Sequence, residues 1–210
     1  MKKIVLAFAI VMMAGITSVK AQGLMGFIKE RVSIGGVKAE ANYSNFILSD
    51  MPDTKSEMGV GANFGPAIRI NLSKHFAIQE DILFTYSTSE YTQNGVKDTY
   101  QYFGTEVPIY LVGQWRTFSG GRIYGGVGPY FGYGFNAKRK DSDLDLYKKV
   151  EGETPMKRMS YGAAAHVGYE FRFGLQINAS YKIGANVLDT KSGDSKMCPQ
   201  SVSLGIGYNF

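Results

Sequence analysis

Over most of the chain apolar and polar residues alternate with a period of two, the signature of strands with one face in an apolar environment. The pattern is cleanest at 202–210. There Val202, Leu204, Ile206, Tyr208 and Phe210 alternate with Ser203, Gly205, Gly207 and Asn209. Leu175, Ile177, Ala179, Tyr181 and Ile183 repeat it against Gln176, Asn178, Ser180 and Lys182. The stretch 159–173 sets Tyr161, Val167, Tyr169 and Phe171 against His166, Glu170 and Arg172. At 122–136, Ile123, Val127 and Phe131 oppose a face of tyrosine and glycine, including Tyr124 and Tyr130. At 102–116, Phe103, Val107, Ile109, Leu111 and Trp115 oppose Glu106, Tyr110, Gln114 and Arg116. At 58–72, Val60, Phe64, Ile68 and Ile70 oppose Asn63, Arg69 and Asn71. Two less regular strands are expected at 76–91 and 32–42, the latter with Lys38, Glu40 and Asn42 on its polar face. That makes eight strands, and a short helical stretch at 23–31 is the one departure from period two.

The breaks between them alternate in length. Short turns are expected around Ser73-Lys74, Ser119-Gly120-Gly121 and residues 172–174, where serine and glycine suit tight hairpins. Longer polar links are expected at 43–57, 92–99, 137–157 and 188–200. Three short and four long connections join eight strands in up-and-down order, the habit of outer-membrane barrels with short periplasmic turns and longer external loops. Both termini then fall on the periplasmic side.

A soluble barrel also alternates, but with its apolar face inside. Three features point to the inverted, membrane arrangement. The strands run long enough to cross a hydrocarbon layer at a tilt, which takes about 9–11 residues. The polar face is rich in glycine and tyrosine and poor in lysine, as a narrow interior requires. Aromatics also gather near strand ends, with Phe76, Trp115, Phe118, Phe171, Phe173, Tyr208 and Phe210 at the short-turn end. Tyr43, Tyr86, Phe103, Tyr133, Phe135 and Tyr161 fall towards the long-link end, giving the two girdles of a membrane barrel. Glu80 resists this reading, because it shares a face with Phe76, Ile78, Ile82 and Phe84. A carboxylate in lipid costs free energy unless it lies near an interface, and a β-bulge shifting the local register would remove the conflict.

The first residues bear on the compartment. Lys2 and Lys3 precede an uncharged run over 4–16, and Val19-Lys20-Ala21 puts small residues where a signal peptidase reads. This predicts a cleaved signal peptide over 1–21, followed by one barrel domain over 22–210. The apolar run is too short for a spanning helix. Losing Lys2, Lys3 and Lys20 lowers the net charge from +5 to +2, so the basic balance gives no reason to invoke nucleic acid. Cys198 is the single cysteine, which excludes a disulfide framework within the chain.

The inward face carries Lys38, Glu40, Arg69, Asp81, Glu106, Arg116, His166, Glu170, Arg172 and Lys182. Mixed charges in an eight-stranded barrel, whose interior is just wide enough for side chains, predict an ion-paired polar network and an occluded lumen. No catalytic, cofactor or metal site is expected. His75 adjoins a short turn, and His166 has no serine close on its own face, so a serine–histidine–acid relay is not built. Asp141, Asp143 and Asp145 alternate as in a calcium loop, but Tyr147 and Gly152 stand where such a loop needs its glycine and closing glutamate. The most charged link, 137–157, carries Lys138-Arg139-Lys140 and Lys148-Lys149, suited to neutralising lipopolysaccharide phosphates at the outer rim.

Several of these segments carry a resemblance. Residues 37–45 (Val-Lys-Ala-Glu-Ala-Asn-Tyr-Ser-Asn), 76–84 (Phe-Ala-Ile-Gln-Glu-Asp-Ile-Leu-Phe), 106–111 (Glu-Val-Pro-Ile-Tyr-Leu) and 126–133 (Gly-Val-Gly-Pro-Tyr-Phe-Gly-Tyr) look like the PorT-type outer-membrane β-barrel family. The architecture is also similar to small OmpA- and OmpX-type barrels. The closing Tyr208-Asn209-Phe210 resembles the signal read by the barrel-insertion machinery, with Tyr208 and Phe210 as its key residues. The family-typical glycine after Lys-Ala is Glu40 here, and Glu80 stands where the family often has proline. The resemblance implies an all-β, up-and-down transmembrane barrel. Three roles fit such a barrel: a structural or surface-interaction role through the external loops, passive transport of a small solute, or an accessory part in protein secretion.

Overall fold

The alternating segments become strands that pair in chain order, each antiparallel to the next. The computed structural model describes residues 32–93, 95–140, 144–148, 155–188 and 195–210. The expected signal peptide, the helical stretch at 23–31, Asp141, Asp143 and Gly152 lie outside the described residues. Among the latter the strands are β1 (Val32–Ser49), β2 (Thr54–Asn71), β3 (Phe76–Asp81), β4 (Leu83–Gln93), β5 (Val96–Arg116), β6 (Arg122–Arg139), β7 (Leu144–Asp145), β8 (Met159–Glu170), β9 (Leu175–Gly184) and β10 (Lys196–Asn209). β3 and β4 are one stave interrupted at Ile82, and both pair with β2 and with β5. β7 is a two-residue addition to the end of β6. The ring therefore has eight staves, as the pattern predicts. It closes where β1 pairs with β10, from Gly36 opposite Asn209 to Ser49 opposite Lys196.

The three short turns fall where expected. Ser73 Oγ accepts from the backbone N–H groups of His75 and Phe76, which fixes the β2–β3 turn. Gly174, at φ 91°, takes a left-handed conformation that a side chain would strain, and its carbonyl accepts from the Asn209 N–H.

Two of the four long links are corrected. Most of 43–57 and 92–99 is strand: β1 runs on to Ser49 and β2 starts at Thr54, while β4 reaches Gln93 and β5 starts at Val96. Asp50 and Asp53, with φ of 55° and 54°, turn the chain between β1 and β2. The physical reason is that these hairpins rise past the apolar belt. There the ladder continues through serine, threonine and tyrosine, and the contrast between faces that reveals a strand fades.

Outside, the strands present a continuous apolar band that includes Val37, Phe64, Leu111, Val127, Val167, Leu204 and Ile206. Inside lie Lys38, Asn42, Asn63, Arg69, Asp81 and Lys182, all buried. This inversion of a soluble protein is what a lipid solvent imposes, because a closed ring leaves no backbone edge unpaired in hydrocarbon. Both aromatic girdles are present: Tyr43, Tyr86, Phe103, Phe135 and Tyr161 are exposed at one level, Phe76, Trp115, Phe173, Tyr208 and Phe210 at the other.

Glu80 keeps its outward position. Ala77, Gln79, Asp81, Leu83 and Thr85 all point inward and are buried, so parity carries straight through the interruption and no bulge rescues Glu80. It sits half-buried on the outer face, opposite Ile68 and Ile109. At the break itself the Ile82 N–H donates to the Pro66 carbonyl at 2.9 Å.

A bulge does occur elsewhere. Phe103 pairs with Asn136 but Gly104 with Gly134, so β6 has an extra residue there. Phe135 and Asn136 both face outward as a result, and Ala137 turns inward.

Candidate functional site

The interior divides into a polar layer towards the short turns and an apolar layer at the long-loop end. The polar layer is built by inward positions on every stave. Lys38 Nζ lies 2.8 Å from Glu40 Oε1 and 2.9 Å from Asp81 Oδ2. Gln79 Nε2 donates to Asp81 Oδ1 at 2.8 Å, and Gln79 Oε1 accepts two bonds from the Arg69 guanidinium at 3.0 and 2.6 Å. Arg69 continues to Glu170 at 3.2 Å and stacks over the Tyr124 ring at 4.5 Å. Glu170 also pairs with Arg122 and accepts from Gln176 and Asn209. One connected chain of charge thus runs from β1 across to β8 and back to β10. Each ion in it has an opposite charge within reach, which is the condition for burying charge without a large penalty.

Eight of the ten expected lumen residues take part in or line this interior. Lys38, Glu40, Arg69, Asp81 and Glu170 form the chain above. Lys182 and Glu106 form a second ion pair nearer the long-loop end. His166 is buried between Tyr110 and Tyr124, its ring flat on Tyr110 with centroids 3.9 Å apart and planes within 6°. Among the described residues neither imidazole nitrogen has a hydrogen-bond partner. Arg116 and Arg172 are corrections: both are exposed at the short-turn end. Arg116 is the last residue of β5 and Arg172 lies in the turn after β8, so inward parity ends before either reaches the interior.

Sequence reasoning picked out charges and so passed over the neutral members. Asn63 donates to Glu40 Oε2 at 2.9 Å and Asn42 to Asn63 Oδ1 at 2.7 Å. Gln114 links Asn71 to Arg122. Their inward parity was the available signal. The many inward glycines follow from the same crowding. At Gly168, for example, a Cβ would collide with the Tyr124 hydroxyl, which occupies that space.

Above the Lys182–Glu106 pair the chemistry changes. Phe46, Tyr91, Tyr100, Leu146, Tyr147, Met156 and Met197 pack as a buried apolar cluster inside the extended hairpins. The Phe46 and Tyr100 rings meet edge to face at 4.9 Å. Burial raises the Tyr147 hydroxyl to about 12, against the opposing pull of Arg158, whose guanidinium stands 4.7 Å over the ring. A small chamber of about 70 Å³ lies between this cluster and the Lys182–Glu106 pair. A larger cavity of about 340 Å³ opens at the long-loop end, beside Tyr91, Arg139 and Met197. Of the aspartate run, Asp145 is described. It accepts from the Tyr147 N–H at 3.0 Å and lies 3.8 Å from Lys148, the work of a turn residue.

Comparison with known proteins bears on this arrangement. The family profile described as "Outer membrane protein beta-barrel domain" matches residues 25–188, most of the chain. The chain belongs to that outer-membrane β-barrel family. Among solved structures, the outer-membrane protein OprG from Pseudomonas aeruginosa is 13% identical, with a TM-score of 0.53 over 84% of this chain and 96% of that one. Neisserial surface protein A is 12% identical, with a TM-score of 0.48 over 85% of this chain and 99% of that one. Ail, the attachment invasion locus protein of Yersinia pestis, is 17% identical with a TM-score of 0.41, over 84% and 99% of the two chains. Comparison with curated proteins gave no match. At these identities the OprG likeness speaks for the fold alone. This member of the outer-membrane barrel family owes its interior to its own residues.

Proposed function

We propose that this outer-membrane barrel holds its lumen closed and acts at its long-loop end, as a structural and surface-interaction protein. The observation that carries the reading is the double obstruction of the interior: the ion-paired chain through Lys38, Asp81, Arg69 and Glu170, capped by the apolar cluster around Phe46, Tyr100 and Met156. A conducting barrel needs a continuous polar path, and an apolar layer above a neutralised charge network offers none. In this reading the long hairpins face outward and the short turns face the periplasm. Residues 1–21 are removed on export, Tyr208 and Phe210 guide insertion, and the basic residues Lys138, Arg139 and Lys140 meet lipopolysaccharide phosphates. Reconstitution in planar bilayers tests the closed lumen. Silence is expected, and stable single-channel currents would overturn it.

Passive transport of a solute would require both layers to open. The PorT-type likeness of the four segments rests on strand and turn residues, so an accessory role in secretion draws its support from that likeness alone. Copurification of stoichiometric partners from intact outer membranes would favour that role.

A further inference from the structure

The cavity at the long-loop end combines features seldom found together on a water-facing surface. Its volume, about 340 Å³, falls in the range of small-molecule sites (about 300–1,000 Å³). Its body is formed by Tyr91, Tyr100, Leu146, Met156, Leu188 and Met197, drawn from staves and connections on different sides of the ring. Five of these six side chains are buried, so the wall is preformed packing rather than a loose loop surface. Its rim carries Gln93, Asp98, Arg139 and Ser195. An apolar, largely preformed concavity with a few converging polar groups is the usual plan of a ligand pocket.

We infer that this cavity binds a small neutral aromatic molecule carrying one hydrogen-bonding group. The inference deepens the surface-interaction reading and rests on it for the outward orientation of the pocket. Two tyrosine rings and three thioethers, those of Met51, Met156 and Met197, favour an aromatic body over an alkyl chain, because sulfur–ring and ring–ring contacts add to plain burial. The Arg139 guanidinium, 5.1 Å over the Tyr91 ring, extends that stack to the rim. Asp98 and Arg139 bring opposite charges to the mouth, so neither a cation nor an anion gains there. A neutral donor or acceptor finds a partner in the Gln93 amide, and a donor also in Ser195 Oγ, which gives its own proton to the Asp50 carbonyl and can still accept. Below, the apolar cluster and the Lys182–Glu106 pair close the floor, so the ligand enters and leaves from outside.

The methionines supply the test. Met51, Met156 and Met197 line the cavity, the last two as buried side chains, whereas Met58 and Met159 are exposed on the outer face of the barrel. The full barrel, with methionine methyls labelled with carbon-13, is placed in lipid nanodiscs and titrated with indole. The Met156 and Met197 methyls are expected to shift along a saturating curve, while those of Met58 and Met159 drift linearly as indole partitions into lipid. Met197→Trp fills the cavity and should abolish saturation at Met156. Leu188→Gln is milder, keeps the fold, and should weaken Kd at least fivefold. If all four methyls respond alike, or both variants bind as the parent does, the inference is wrong. Conductance stands apart: a barrel that conducts yet shows saturating shifts loses the closed lumen and keeps the pocket.

Discussion

Lys182 on β9 and Glu106 on β5 meet as an ion pair across the lumen, with β8 and β6 between their strands. Both side chains are shielded, at 5% and 14% exposure. Removing one partner leaves the other charge buried alone, which costs about 3–5 kcal/mol, whereas removing both costs little. Lys182→Met should therefore lower the urea midpoint of the refolded barrel sharply. Adding Glu106→Gln should recover most of the loss. The readout is the fraction retaining the fast gel mobility of the folded barrel in unheated samples.

The stack of His166 on Tyr110 leads to the opposite expectation. Its two ring nitrogens lie buried without partners, and an unsatisfied buried polar group costs about 1–3 kcal/mol. His166→Phe keeps the ring-on-ring contact and removes both nitrogens. The variant should be more stable than the parent by about 1 kcal/mol or more in the same urea assay. A lower midpoint would mean that the imidazole is served by ordered water.

Glu80 faces lipid between Ile68 and Ile109, with no bulge to turn it away. Charges on that face of a membrane barrel are destabilising by up to about 2–4 kcal/mol for the worst cases, less for carboxylates. Glu80→Leu should raise stability in vesicles by about 1 kcal/mol. Vesicle unfolding of parent and variant compares them directly. No gain would mean that the Glu80 carboxylate reaches a membrane interface and stays hydrated there.

Gly174 combines a left-handed backbone with a crowded site, since a Cβ there would meet the Asn209 carbonyl on β10. Gly174→Ala should cost about 1–2 kcal/mol and slow insertion into vesicles. Gly95, equally left-handed but with open space around it, separates the two effects: Gly95→Ala should cost only the backbone strain.

These expectations rest on features that were unequally legible in the sequence. The eight staves could be read because alternation survives wherever one face meets lipid, and the turns at Ser73 and Gly120 could be read from their residue chemistry. The extension of β1 to Ser49 could not, because Tyr43, Ser44 and Asn45 lie where the outside is turning from lipid to water. Arg116 and Arg172 were misplaced by counting parity past the ends of the ladder, where nothing enforces it. The apolar cluster was hidden for a different reason. Phe46, Tyr91, Leu146 and Met197 lie far apart in the chain, and only the closed ring brings them together. Pairwise partners such as Gln79 for Arg69 depend on heights around that ring, which a one-dimensional pattern does not carry.

The seam between β1 and β10 has a consequence for biogenesis. Gly36 finds Asn209 only after every intervening stave exists, so the barrel has no half-finished form with satisfied edges. Until β10 has been synthesised and docked, two raw strand margins and a whole greasy outer surface travel together through water. Unpaired margins are costly in hydrocarbon and apolar surface is costly in water, so sealing of the seam and burial of the outer band in lipid are energetically linked.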